Sequence, residues 1–167
     1  MDAHPYFTQL ARYNVWATQQ LLVAIEPVSE IDYRRDLRLF FKSIHGTLNH
    51  LLVGEHMLWR GRFARGESPK MALDMEVESE RDRLAQALMA GANMWEQLIA
   101  SWPCERFDGQ LSYTNMRGQA ISVPFAATLS HVFNHGTHHR GQISAALTFL
   151  SQPAPELDLV FFLQQTA

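Results

Sequence analysis

The segment PFAATLSHVFNHGTHHRGQISAALTFLS, residues 124–151, opens on a proline, carries four histidines and ends just ahead of Pro153. Proline suits the first turn of a helix, where its missing N–H costs nothing, and blocks a helix that tries to continue through it. The spacing predicts one long helix over 124–151. Successive helical residues turn by about 100°. With His135 set at 0°, Phe125, Val132, Ile143, Ala146 and Leu150 fall between about 20° and 80°, which marks the buried arc. His139, at about 40°, lies inside that arc and His135 on its edge, whereas His131 and His138, at about −40° and −60°, point away. His135 and His139 are therefore the pair able to face a core together, and two imidazoles four residues apart can hold one metal ion. A single helical histidine is more often a hydrogen-bonded core or surface residue than a ligand, so the pair calls for a third ligand from elsewhere.

Upstream, the pattern predicts three more long helices. One runs over about 3–26, with Asp2 as cap, Pro5 in its first turn and Pro27 after its end. A charged connector, SEIDYRRD, leads to a second over about 38–61. The polar stretch GRFARGESPKMALD reads as a loop. A third helix is expected from Glu76 to about Trp102, its acidic start (Glu76, Glu78, Glu80) matching the positive end of a helix dipole. Between it and the last helix, Leu111, Tyr113, Ile121 and Val123 alternate with polar residues around Asn115 and Gly118, which predicts a short β-hairpin within 107–123. After Pro153 and Pro155, the apolar tail LDLVFFL reads as a strand or a helical turn. The expected fold class is all-α: a single-domain four-helix bundle over 1–167 with a small hairpin before the last helix.

The second helix offers His45, His50 and His56 as the third ligand. It is apolar round most of its circumference, so the pattern alone does not choose among them. Ser43, Thr47 and Gly54 lie within about 60° of His50 and leave space beside it, which favours His50 slightly. Glu55 is about 140° from His50 on an α-helical wheel, which makes it a structural partner, with Arg140 the natural counter-ion. Asn14 and Gln142 are candidates to accept the second N–H of a metal-bound imidazole. Trp16 and Trp59 read as core packing. Cys104, the one cysteine, cannot form an internal disulfide and reads as inert.

Composition narrows the field. A 47% hydrophobic content with a net charge of −3 excludes general disorder and gives no basic face for nucleic acid. No apolar run approaches the roughly 20 residues of a membrane span, and the start shows no secretory signal, so a cytoplasmic location is the expectation.

SIHGTLNHLLVGEHMLW (43–59) and HVFNHGTHHRGQI (131–143), with YNVWA (13–17) and a hairpin before a proline-opened helix, resemble the DinB family of damage-inducible bacterial proteins, within the DinB/YfiT-like superfamily. The resemblance spans nearly the whole chain. It implies an up-down-down-up four-helix bundle and a three-histidine metal site, with the second-helix ligand on His50 and the last-helix ligands on His135 and His139. The family often has tyrosine at the position of His138. Distant members are thiol-dependent enzymes, including a mycothiol-dependent maleylpyruvate isomerase and bacillithiol transferases.

Neutral imidazoles suit zinc, nickel, copper or ferrous iron, with zinc or nickel foremost. The leading expectation is a metal-dependent enzyme of transferase or isomerase type acting on a small molecule with a low-molecular-weight thiol. The alternatives are a metal-dependent hydrolase and a non-catalytic metal- or ligand-binding stress protein. A homodimer formed through outer helix faces is a further expectation. Metal is expected to leave as pH falls through the histidine range near 6.5.

Overall fold

The computed structural model describes residues 3–166. It is mostly helical, with one small antiparallel sheet. Helix α1 spans Ala3–Ile25, and a short α2, Glu30–Arg34, sits in the charged connector. Helix α3, Ile44–Leu51, continues without a break into a π-helical stretch, Leu52–Trp59, and then α4, Arg60–Arg65. Helix α5 covers Arg81–Ala100, followed by a 3-10 turn at Cys104–Asp108. Strands β1, Gln110–Thr114, and β2, Ala120–Pro124, precede α6, Phe125–Phe149, and α7, Leu159–Gln165. The Asp2 cap lies outside the described residues.

Helix α1 packs against α5 and α6, and the α3–π–α4 segment packs against the same two. Two apolar clusters hold these helices together. One joins Leu21, Ile25, Ile44, Leu48, Leu84, Leu88, Ile143 and Leu147. The other joins Phe7, Phe63, Trp95, Ile99, Phe125 and Leu129, with Leu111 from the hairpin. Between them in sequence, on three of the helices, fall buried polar residues: Asn14 on α1, Glu55 and His56 on the π-helical stretch, His139 and Arg140 on α6. The apolar core is thus interrupted by a polar layer.

Several boundaries differ from expectation, each for a local reason. The second helix starts at Ile44, because Ser43 caps it by accepting from the Gly46 N–H at 3.0 Å. Residues 38–42 instead make a tight turn closed by a Leu39–Lys42 bridge, with Arg38 and Lys42 at positive φ. At the other end, helix continues through Gly61 and stops at Gly66, whose φ of 72° supplies the left-handed exit. The start of the predicted loop is therefore helical. Helix α5 begins at Arg81, not Glu76. The Asn49 side chain accepts from the Val77 and Glu78 N–H groups and holds that segment extended, so Glu76 and Glu78 are not in a helical first turn. The hairpin forms as expected: Asn115 Oδ1 accepts from the Arg117 and Gln119 N–H groups, and Gly118 sits at φ 78°. The tail is helical; Phe162 packs against Tyr13 and Trp16 and so covers α1.

Gly91 on α5 makes room for His56, since a Cβ there would overlap the imidazole. Alanine in an exposed helix interior gains about 1 kcal/mol over glycine. At this position Gly91→Ala is expected to destabilise instead, by about 1–3 kcal/mol from overpacking, as measured by urea denaturation.

Candidate metal centre

One ring nitrogen from each of His50, His135 and His139 lies within 4.8 Å of the other two, a group that can hold a metal ion. His50 comes from α3, the other two from successive turns of α6. His50 and His139 are buried, while the His135 side chain keeps 19% of its exposure. His131 and His138 are exposed. The helical wheel for α6 thus placed all four correctly.

The hydrogen bonds decide which nitrogens are free. His50 Nδ1 lies 2.8 Å from the Leu73 carbonyl, and His139 Nδ1 lies 2.8 Å from Gln142 Oε1. A carbonyl or amide oxygen can only accept, so both Nδ1 atoms carry hydrogen and both Nε2 atoms keep a lone pair. His50 Nε2 and His135 Nε2 stand 3.1 Å apart. Two nitrogens each about 2.0–2.1 Å from one ion at a tetrahedral angle would be roughly 3.3 Å apart, so the observed gap suits a shared ion. Gly54 leaves this space: a Cβ there would come within 3.3 Å of His135 Cε1 and 3.8 Å of the His50 ring. Phe41 stacks on His50 at 3.7 Å between ring centroids and also borders His139.

The other second-helix histidines are core residues. His45 receives the Asn49 side chain and packs on Tyr33. His56 accepts from Trp95 Nε1 at 3.3 Å. Gln142 orients a site histidine as its type and spacing suggested, but Asn14 does not. Asn14 links Arg140, whose Nη1 donates to its Oδ1 at 2.5 Å, to Glu55 Oε2 at 3.4 Å. Glu55 and Arg140 are accordingly joined through Asn14. Trp16 packs on Phe162, and Trp59 packs on Tyr113 and His131. Cys104 is exposed, 3.4 Å from His4 Nδ1.

Glu55 is a structural partner linked to Arg140, as the wheel suggested, but its nearness to His135 was not foreseen. The π-helical stretch pairs residues i and i+5, which brings the side chain five residues after His50 round toward the site. Its Oε1 lies 3.7 Å from His135 Nδ1, and the residue is 2% exposed. Phe41 and the Leu73 carbonyl were also missed. Both belong to irregular backbone, where a periodic pattern has nothing to report.

A family model described as the DinB family matches residues 1–167. The chain belongs to the DinB family. It is also 24% identical over 163 residues to a protein named Protein DinB from Bacillus subtilis (strain 168), covering 95% of this chain and 94% of that one. No solved structure matches it significantly. Among the described residues of this DinB protein, no helix is long and apolar enough to cross a membrane.

Burial favours the neutral imidazoles of the DinB site. It pulls His139 from 6.5 to about 4 and lowers His50 as well. His56, fully enclosed, is likewise held at about 4. Unfolded histidine binds its proton near 6.5, so the folded chain binds fewer protons between those limits. Stability of the metal-free protein is thus expected to be intact above pH 6.5 and to fall steadily toward pH 4, as read by denaturant midpoints across that range. Proton competition with a metal shifts the same way. Metal loss is expected below the ordinary histidine range, as followed by equilibrium dialysis.

Proposed function

We propose that the chain holds one divalent metal ion on His50, His135 and His139 and acts as a metal-dependent enzyme on a small molecule. The carrying observation is the orientation of the rings: oxygens take up Nδ1 of His50 and His139, which leaves Nε2 free on both. Three nitrogens leave at least one coordination position open, whereas structural zinc sites are normally closed by four protein ligands. Imidazole donors suit zinc or nickel. When bound, such a metal supplies a Lewis acid that lowers the pKa of a coordinated water or holds a thiol deprotonated.

The chain's own residues do the rest. The Leu73 carbonyl and Gln142 fix the imidazoles, and Phe41 shields one face of His50 from water. The reaction type we favour is thiol-dependent transfer or isomerisation, as in distant members of the superfamily. The thiol sulfur bonds to an electrophilic carbon while the thiol proton goes to the displaced or rearranged group. Hydrolysis has less support, because Glu55 is buried beside Nδ1 of His135, on the opposite edge of that ring from Nε2. The same proposal takes the four long helical segments as one up-down-down-up bundle forming a single domain. The exposed Phe149 and Val160 are the apolar residues on which a homodimer would draw.

Purified protein is expected to carry one zinc or nickel ion per chain by elemental analysis. His135→Ala and His139→Ala should abolish that binding yet keep most of the helicity by circular dichroism, since the apolar clusters do not use these rings. Metal-dependent turnover should then appear with some pair from a panel of low-molecular-weight thiols and electrophiles. No turnover with any pair, alongside intact metal binding, would leave a non-catalytic metal-binding protein.

A further inference from the structure

Two buried polar atoms face each other beside the three histidines without a hydrogen-bond partner: Glu55 Oε1 and His135 Nδ1, 3.7 Å apart. Their neighbours are elaborately arranged. Asn14 on α1 donates to the other carboxylate oxygen and accepts from Arg140, which in turn reaches Thr137 Oγ1 at 3.4 Å. Glu55, Asn14 and Arg140 are each at most 2% exposed and come from three different helical segments. Gly136, next to His135, is the position that admits the carboxylate. A Cβ there would collide with Glu55 Oε1 and lie 2.9 Å from Arg140 Nη1. The π-helical stretch Leu52–Trp59 turns Glu55 into this gap. A buried carboxylate is costly unless it is paired, and here three helical segments contribute to aim one at a ligand imidazole.

We infer that Glu55 is the positioning residue of this site, accepting the Nδ1–H of His135 so that Nε2 of that ring faces His50 and His139. The inference rests on the metal reading above and adds the group that sets the ring's tautomer and angle. Rotation of either side chain by a fraction of an ångström closes the 3.7 Å gap to a hydrogen bond. Gly136 and the π-helical stretch then have one purpose in common. A carboxylate behind a metal-bound imidazole fixes its orientation and raises its basicity, and loss of such a group typically costs 10–100-fold in metal affinity.

The test uses full-length protein, cobalt(II) and zinc as probes, and three variants. Glu55→Gln preserves shape and removes the charge. Gly136→Ala preserves every charge and displaces the carboxylate, and as a helical Gly→Ala change it would do no harm to affinity if the helix alone mattered. Glu55→Asp restores the charge at shorter reach. Glu55→Gln and Gly136→Ala should each bind one ion about 10–100-fold more weakly, with an altered cobalt(II) visible spectrum. Glu55→Asp should recover part of the loss, and circular dichroism checks that each variant is folded. Affinities within twofold of wild type for both Glu55→Gln and Gly136→Ala overturn the proposal. Long-range ¹H–¹⁵N NMR separates it from the metal reading: with zinc bound, hydrogen should sit on Nδ1 of His135, and a bare Nδ1 in protein that holds zinc overturns the role of Glu55 while the metal reading stands. A wild type that takes up neither ion, with Nδ1 protonated, sinks the metal reading and leaves the Glu55–His135 pairing standing.

Discussion

The structure turns on a clash of requirements in the helical segment that begins at Ile44. His50 must face α6 to meet His135 and His139, and Glu55 must reach the far edge of the His135 ring. An unbroken α-helix places those two side chains about 140° apart. Five-residue hydrogen bonding over Leu52–Trp59 removes the conflict. Such stretches are rare, a sign that they cost more than regular α-helix, and they occur frequently at functional sites. Here the cost is offset by packing on both sides, where Leu48 and Phe63 anchor the segment in the two apolar clusters.

The polar layer between those clusters has its own logic. Glu55 would be pushed toward protonation by burial, but His135, His56 and Arg140 together hold its carboxyl below the usual range. Removing one member strands the others in a dry environment, so the layer stands or falls as a unit. Asn14 joins the cation and the anion without letting them touch directly. Small residues beside these groups, Gly54, Gly91 and Gly136, are as much a part of the layer as the charges, since each clears the volume that a neighbouring ring or carboxylate fills.

How far this could be read in advance depended on regularity. Helix α6 is regular from Phe125 to Phe149, and one wheel identified its buried histidine, its edge histidine and its two exposed ones. The hairpin was legible because Asn115 and Gly118 have turn chemistry that no tertiary contact overrides. The second helix was not. Its apolar residues surround it, so periodicity could not rank His45, His50 and His56, and the family resemblance made the choice. Glu55 was read as a structural partner, which it is, but its approach to His135 was not foreseen, because a wheel assumes a constant angle per residue. The start of α5 was misread because Asn49, distant in sequence, competes for the backbone of residues 77 and 78. Long-range side-chain capture of that kind leaves no periodic trace.

The segment between Gly66 and Arg81 has no regular structure for most of its length, yet its Leu73 carbonyl accepts from His50 Nδ1 and so fixes one imidazole. Asn49, one residue before His50, grips the same segment a few residues further on. Loop path and ring orientation therefore share two neighbouring anchors on α3, His50 and Asn49. A stretch of chain with no helix or strand of its own is thus pinned where it passes the histidine cluster, and its course and the pose of the His50 ring are set together.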